Sequence, residues 1–467
     1  MLMCIILLNK EGKDVFSMAV SSGYIKLDFT RLTPEEQLNQ VSDYTATMEQ
    51  RRSVRSFSNR PVPEAVIEKV IHSAGTSPSG ANQQPWTYVL IQDPEVKRAI
   101  REAAELEEQQ RLENIGIDQT DMLNMTGNKD YLEEAPYLVA LFKINYGLTT
   151  DGTEQKIKHY YVQESAHISA GFFLAALQHA GLDSLVHAPV LAAQDILGRP
   201  KNESPSLLFA VGYAKDDYQA PSLKRRPLSE IVNTPSPFST EILQAPEYLP
   251  RPKMEEQQQV AKANTYYEHI RRRRNVRHYS TEEVDIQLLH YAIRAAATTP
   301  SGGNLQPYRF AIVSDMETKQ KIRELAEIEE KKLYEQRISE EWRDTLAPLG
   351  TNWKKPHLTD APHLIVAFKV DENPNEANVL DQSLLYPKNN FAMESAAMAV
   401  GVLMGGLHHA GLCTLTHTPS PMTFLRDLLH RPKNEVPFVL LPVGYPAPDC
   451  EVPDITKKPL SEILVKF

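Results

Sequence analysis

Thr298-Thr299-Pro300-Ser301-Gly302-Gly303-Asn304-Leu305-Gln306-Pro307 has an earlier counterpart, Thr76-Ser77-Pro78-Ser79-Gly80-Ala81-Asn82-Gln83-Gln84-Pro85, 222 positions upstream. Each stretch follows an amphipathic helical pattern and precedes a β-branched, aromatic run. Each also lies downstream of a basic cluster, Arg51-Arg52-Ser53-Val54-Arg55 or Arg273-Arg274-Asn275-Val276-Arg277. A Pro-Ser-Gly turn exposes backbone N–H groups, and guanidinium forks favour an anion. Together they predict a phosphate-bearing cofactor held between two loops.

Working outward, the register persists. Glu108 and Glu330 are also 222 positions apart, Gly181 and Gly411 are 230 apart, and Gly212 and Gly444 are 232 apart. An offset that only grows marks a duplicated domain with small insertions in its second copy. In the first copy Val66, Ile67, Val70, Ile71 and Ala74 share one helical face, and Thr87–Ile91 reads as a buried strand. A charged helix (Glu95–Glu113), a strand (Pro136–Phe142), a long apolar helix (His159–Ala180) closed by Gly181, and strands at Ser184–His187 and Leu207–Val211 follow. The second copy repeats this order through Phe467. The fold class is α+β: two domains, each a central mixed sheet covered by helices, fused as a pseudo-dimer. The divisions are an extension over 1–26, domain 1 over 27–232, a linker over 233–253 and domain 2 over 254–467. Pro235, Pro237, Pro246, Pro250 and Pro252 make the linker an extended connector.

Composition narrows the class of function. The 467 residues suffice for two domains with real cores. A net charge of −10 argues against nucleic acid as a partner, so the basic clusters suit a small anion. Cys4, Cys413 and Cys450 form neither a disulfide framework nor a metal spacing, which predicts a cytoplasmic protein without a metal site. The apolar start, Met1 to Leu8, is too short for a membrane span and lacks a signal peptide's basic flank, so no membrane partner is expected and residues 1–17 read as dispensable.

The segments Arg51-Arg52-Ser53-Val54-Arg55, Pro78-Ser79-Gly80-Ala81-Asn82, Gln84-Pro85-Trp86, Val211-Gly212-Tyr213 and Lys224-Arg225 before Pro227-Leu228 resemble the nitroreductase superfamily. Within it the similarity is to the iodotyrosine deiodinase branch, over about residues 27–232 and 249–467. It is most specific in copy two, at Ile322-Arg323-Glu324, Glu329-Glu330, Tyr334, Trp342, Thr351-Asn352-Trp353 and Lys355. The resemblance implies FMN at a two-fold interface and reduction of a small aromatic substrate, a halotyrosine or halophenol. Arg51, Arg52, Ser53, Arg55 and Arg225 would grip one flavin phosphate. Arg273, Arg274, Asn275 and Arg277 would grip the other, with Lys457 where an arginine is usual. Pro78, Ser79 and Gly80, and Pro300, Ser301 and Gly302, would line the flavins, with Ala81 and Gly303 on the substrate side.

The resemblance further implies a lid clamp that reads an amino acid's zwitterion. Copy two keeps it as Glu330, Tyr334 and Lys355, whereas copy one keeps Glu108 and Lys129 but has Leu112 for the tyrosine. Thr418 would be the catalytic residue, its hydroxyl bonding the flavin N5 and favouring one-electron steps, with Thr416 and His417 beside it. Copy one has Ala188 there, which cannot donate. The resemblance also implies that the arginines and Thr418 of one copy meet the Pro-Ser-Gly loop and the clamp of the other. A lid folded over its own copy's flavin would instead make copy two's set complete. Read without the resemblance, Glu330 and Tyr334 are a surface i,i+4 pair, and His167, His187, His408 and His409 are structural. No G-x-G-x-x-G is present, so NAD(P)H, the expected electron donor, would visit the flavin transiently. The alternatives are a general NAD(P)H nitro- or quinone reductase, or a non-catalytic flavin-binding protein. The chain is expected to be a monomer.

Overall fold

A computed structural model describes residues 23–114, 129–149, 155–221, 224–233, 246–252, 254–372, 388–389 and 391–467. The N-terminal extension up to residue 22, most of the linker with Pro235 and Pro237, and residues 115–128 of copy one lie outside the described residues.

Strand β1 (Tyr24–Lys26) precedes helix α1 (Pro34–Glu49), which starts where Thr33 and Glu36 form a reciprocal capping box ahead of Pro34. Copy one continues with α2 (Glu64–Gly75), β2 (Trp86–Ile91), α3 (Pro94–Asn114), α4 (Tyr131–Glu134), β3 (Tyr137–Ile144), β4 (Tyr146–Leu148), β5 (Lys156–Lys158), α5 (Val162–His179), β6 (Asp183–His187), α6 (Ala193–Ile196), β7 (Glu203–Gly212) and α7 (Leu228–Ile231). Copy two runs α8 (Glu256–Ile270), α9 (Ile286–Ala296), β8 (Tyr308–Val313), α10 (Met316–Lys332), α11 (Glu340–Leu346), α12 (His357–Asp360), β9 (His363–Val370), α13 (Ala392–His409), β10 (Cys413–Thr414), α14 (Thr423–Leu428), β11 (Glu435–Gly444), β12 (Glu451–Pro453), α15 (Leu460–Ile463) and β13 (Leu464–Lys466). The long helix expected from His159 begins only at Val162. The preceding residues fold back as a β4–β5 hairpin, and Tyr161, in the left-handed region at φ 54°, turns the chain into the helix. Among the described residues, no helix is long and apolar enough to cross a membrane.

The sheet of copy one has the order β13-β2-β3-β7-β6 and that of copy two β10-β11-β9-β8. Pairing is antiparallel except at β13, which lies parallel to β2 with Leu464 opposite Tyr88. The counterpart in copy two is a parallel bridge between Val232 and Phe310. Each copy therefore sends its last residues to the other's sheet, covering an edge that would otherwise stay open. Hydrogen bonds cross the expected boundary near 232–254 in both directions.

The helices α5 and α13 are mostly apolar, buried on every side over residues 165–178 and 395–407, and pack on each other at the centre. Gly171 meets its own counterpart Gly401, and eight residues on His179 stacks on its counterpart His409, with ring centroids 5.6 Å apart. Equivalent residues meeting at two levels means the helices run in the same direction about a pseudo-two-fold axis. A Cβ at Gly401 would stand 2.3 Å from the Ile168 carbonyl oxygen and 2.9 Å from Gly171 Cα. Around this contact one continuous core draws Tyr44, Phe172 and Phe173 from copy one and Tyr266, Met398 and Met404 from copy two. At its end sits a ring stack in which His269 lies 4.3 Å from His409 and 4.6 Å from His408, while His179 stacks 4.5 Å from Tyr266. Burial pushes His179 and His269 down to about 4 and His408 to about 3.

Gly401→Ala is expected to cost about 2 kcal/mol or more, because the two helix backbones must separate; equilibrium unfolding in urea measures it. The histidine stack adds a pH dependence. Its folded pKa values lie below the free value of about 6.5, so the unfolded chain binds more protons as pH falls. Stability is full above about 6.5 and declines toward about 4; the melting temperature should drop by a few degrees between pH 7 and pH 5, and His409→Phe should flatten that slope.

Candidate active site

Each Pro-Ser-Gly loop is held in shape by the opposite copy. Ala81, Asn82 and Gln84 have φ of 46°, 56° and 48°, and their counterparts Gly303, Asn304 and Gln306 have 56°, 56° and 49°. Side-chain amides hold these left-handed residues. Asn82 Nδ2 donates to the Thr456 carbonyl (2.9 Å) and Lys458 N–H donates to Gln84 Oε1 (2.8 Å). The mirror set is Asn304 Nδ2 to the Lys224 carbonyl (2.9 Å) and Arg226 N–H to Gln306 Oε1 (2.9 Å). Most N–H groups of the first loop are already engaged. The Asn82, Gln83 and Gln84 amides bond within the loop, and Gly80 N–H donates to Ser165 Oγ (3.3 Å). The loop therefore contributes shape: a Cβ at Gly80 would lie 2.6 Å from the Tyr160 carbonyl oxygen.

Beside the first loop, one cavity collects Ser79, Gly80 and Ala81 of copy one with the arginine cluster and Lys457 of copy two. Arg273 is buried, donates to the Thr76 carbonyl at 3.4 Å, and its Nε has no partner among the described residues. Lys457 Nζ donates to the Ser77 carbonyl (2.6 Å), and burial with Arg273 and Arg274 pushes its ammonium far below the usual lysine range. Asn275 Nδ2 reaches Thr416 Oγ1 (3.3 Å), and Arg277 lines the same cavity. Cations that converge while a buried guanidinium N–H points at nothing form a site completed by an anion; these residues fit a terminal phosphate. In copy one Arg51 Nε donates to the Thr298 carbonyl (2.8 Å), the mirror of the Arg273 contact. Arg225 donates to the Glu49 and Arg51 carbonyls, and Arg52 to the Pro246 carbonyl. Ser53 bridges to Ser184 as Asn275 does to Thr414, and Arg55 is exposed.

The lid of copy two closes over its own copy's arginines. The cavity that holds Arg273 and Thr418 also holds Glu330, Tyr334 and Lys355, so the expected cross-over of clamp and arginines is wrong. The reason lies in the lid's stems. Ile322 and Ala326 of α10 and Leu358 of α12 pack with Leu364, Phe368 and Leu440 of copy two's own sheet, which anchors the lid there. The other copy lends the Pro-Ser-Gly loop and the turn before α5 with Tyr160 and Tyr161. Pro300, Ser301 and Gly302 repeat the loop geometry on the opposite side of the axis.

Glu330, read without the resemblance as half of a surface pair with Tyr334, is buried and forms an ion pair with the buried Lys355 at 3.1 Å, while Tyr334 is half-buried. Burial opposes the Glu330 charge, yet His417 and Lys355 beside it hold the carboxyl below its usual range. Lys355 Nζ also donates to the Asn352 carbonyl (2.6 Å), and the Tyr334 hydroxyl donates to Thr351 Oγ1 (3.3 Å). Burial raises the Tyr334 phenol. The Thr418 carbonyl accepts from the Tyr161 hydroxyl (3.2 Å), while the Thr418 hydroxyl makes no hydrogen bond among the described residues. Trp342 of the lid stacks on Tyr160 of copy one with centroids 3.5 Å apart. In copy one Glu108 pairs with Lys129, and Leu112 is buried, so the clamp there lacks a phenol. Ala188 supplies only a carbonyl, which meets its neighbour's His187 Nδ1 at 2.7 Å.

The sequence reading missed Tyr160, Tyr161 and His357. The tyrosines reach the site from the turn before α5, a neighbourhood no local pattern reveals. His357 could have been noticed, since Tyr131 stands at its place in copy one.

The interlocked α+β halves and the cation-lined cavity between them define a two-copy architecture whose site faces both halves. The Nitroreductase family model matches residues 48–213 and 270–445, and the chain belongs to the nitroreductase family. It is similar to the iodotyrosine deiodinase of Haliscomenobacter hydrossis, 41% identical over 226 residues that cover 48% of this chain and 99% of that one. The iodotyrosine deiodinase of Hydra vulgaris is 42% identical over 231 residues, 48% of this chain and 84% of that one. A crystal structure of oxidized iodotyrosine deiodinase bound to FMN and 3-iodo-L-tyrosine is 30% identical, with a TM-score of 0.35, covering 42% of this chain and 94% of that one.

Because the Trp342–Tyr160 stack joins lid to core, Trp342→Ala should loosen the lid without unfolding the chain. A lost stack of roughly 1 kcal/mol predicts about fivefold faster proteolysis within residues 333–350, measured against an unchanged melting temperature.

Proposed function

We propose that the chain binds FMN in the cavity between its copies and reductively dehalogenates a halotyrosine-like phenol. The observation that carries this reading is the presence of Glu330, Tyr334 and Lys355 in one cavity with Arg273 and Thr418. Bound FMN would supply two electrons per turnover, replacing the carbon–halogen bond by carbon–hydrogen with uptake of a proton and loss of halide. Arg273, Arg274, Asn275, Arg277 and Lys457 would hold its phosphate. Glu330 would take the ligand's ammonium, and Lys355 and Tyr334 its carboxylate, so a free amino acid is favoured over a bare phenol. Thr418 would turn its unengaged hydroxyl toward the flavin ring. Closure of the lid by Trp342 and Tyr160 would exclude water from the reacting ring.

The site of copy one lacks both the phenol and the hydroxyl, at Leu112 and Ala188, so dehalogenation belongs to the site of Thr418. The missing hydroxyl is the observation that favours a second reading for that other site, plain NAD(P)H-dependent reduction of nitro compounds or quinones. NAD(P)H is the proposed electron source for both, in a cytoplasmic protein that acts as a single-chain pseudo-dimer.

The test is halide release from 3-iodo-L-tyrosine by the FMN-loaded, reduced chain. Arg274→Ala should weaken FMN binding about tenfold through loss of a charge-assisted contact. Thr418→Ala should lower halide release by about tenfold or more while Ala188→Gly leaves it unchanged. Release of FAD from the purified protein, or rapid nitroarene turnover without halide formation, would overturn the reading.

A further inference from the structure

Beside Glu330, in the wall of the same cavity, lie two buried histidines that the reading above does not use. His357 Nε2 and His417 Nδ1 are 2.9 Å apart, and His417 Nε2 stands 3.5 Å from Glu330 Oε1 with no other partner among the described residues. The main chain at His417 is held in place, because it exchanges two hydrogen bonds with Leu440, at 2.9 and 2.8 Å. The charged groups acting on the pair are Glu330 from α10, Lys355 from the lid's far stem, Arg277 from the arginine cluster and Arg323.

The two neutral arrangements of protons differ in what His417 presents to Glu330. A neutral His417 protonated at Nδ1 would donate to His357 and turn a lone pair toward the Glu330 carboxylate, which is repulsive. Protonated at Nε2, it turns that N–H toward the Glu330 carboxylate 3.5 Å away, an attractive contact longer than a hydrogen bond, and accepts at Nδ1 from a His357 Nε2–H. His357 therefore selects the tautomer of His417, and His417 orients Glu330. Burial, which holds both imidazoles below their usual range, keeps them neutral and leaves the carboxylate its charge.

Resting on the reading of Glu330 as the ammonium acceptor, we infer that His357 and His417 are positioning residues that aim Glu330 and thereby set the preference for a free amino acid over a bare phenol. Copy one is the internal control. It keeps the glutamate and a histidine, as Glu108 and His187, but has Tyr131 where copy two has His357. There His187 Nδ1 faces the Ala188 carbonyl, and its ring lies 6.4 Å from that of Tyr131. The chain of donors thus accompanies the copy whose clamp is complete.

The experiment uses the FMN-loaded full chain and reads flavin fluorescence quenching by 3-iodo-L-tyrosine and by 2-iodophenol, which lacks the ammonium. His357→Phe should weaken 3-iodo-L-tyrosine about tenfold and leave 2-iodophenol within twofold, since His417 loses the partner that turns its Nε2–H toward the ammonium acceptor. His357→Gln, whose amide N–H can still donate to His417, should retain most of the affinity. His417→Phe, read in the same way, replaces His357→Phe should that variant fail to fold. Equal losses for both ligands, or no rescue by glutamine, would overturn the positioning role and leave dehalogenation standing. A wild-type chain that binds 3-iodo-L-tyrosine no better than 2-iodophenol would overturn both.

Discussion

The approach of α5 to α13 at Gly171 and Gly401 is the constraint on which the rest of the molecule depends. With no side chain at either position, two helix backbones touch, and the pseudo-two-fold axis runs through the contact. That distance sets the reach of everything outside it. The Arg273 fork meets the Thr76 carbonyl and the Arg51 fork meets the Thr298 carbonyl, each pair bridging the axis. A wider spacing would break the hydrogen bonds that hold the loops and open the cavity.

Interlocking explains why neither half makes sense alone. Leu464–Lys466 completes the edge of copy one's sheet, and Val232 does the same for copy two. Asn82 and Asn304 are anchored on the opposite copy's tail. A loop with consecutive residues in the left-handed region is costly by itself, and the partner tail over-determines it. What copy one lends copy two's site is a shaped wall, while copy two's charges and lid stay at home.

Fusing the two copies in one chain lets them diverge, which a homodimer cannot do. Copy two pairs a buried Glu330–Lys355 contact with the Tyr334 phenol, the free Thr418 hydroxyl and the His357–His417 pair. Copy one has a Glu108–Lys129 pair, a buried Leu112 and Ala188 at the corresponding places. A buried ion pair is a weak source of stability; in copy two its surroundings hold the carboxylate charged and aimed, which suits recognition better than stability.

By itself the sequence determined the duplication, the α+β class, the loops and the arginine clusters, while the residues of the lid came from its resemblance to a family. Those features are local: hydrophobic periodicity, a Pro-Ser-Gly turn and basic runs are written within a few residues, and the 222-residue offset repeats them. Even the start of α5 was misread, because the β4–β5 hairpin before it depends on pairing across a chain reversal. Only the tertiary structure decided which copy's clamp faces which arginines. Residue types cannot say that, since both partitions use the same residues; the packing of Ile322 and Leu358 on copy two's own sheet does. The same holds for Tyr160 and Tyr161, which reach the lid and Thr418 from the other copy. It holds also for His357, whose partner lies 60 residues away and meets it only because α12 and the strand partner of Leu440 share one wall. Periodicity places a side chain on a face, and only packing in three dimensions says what that face meets.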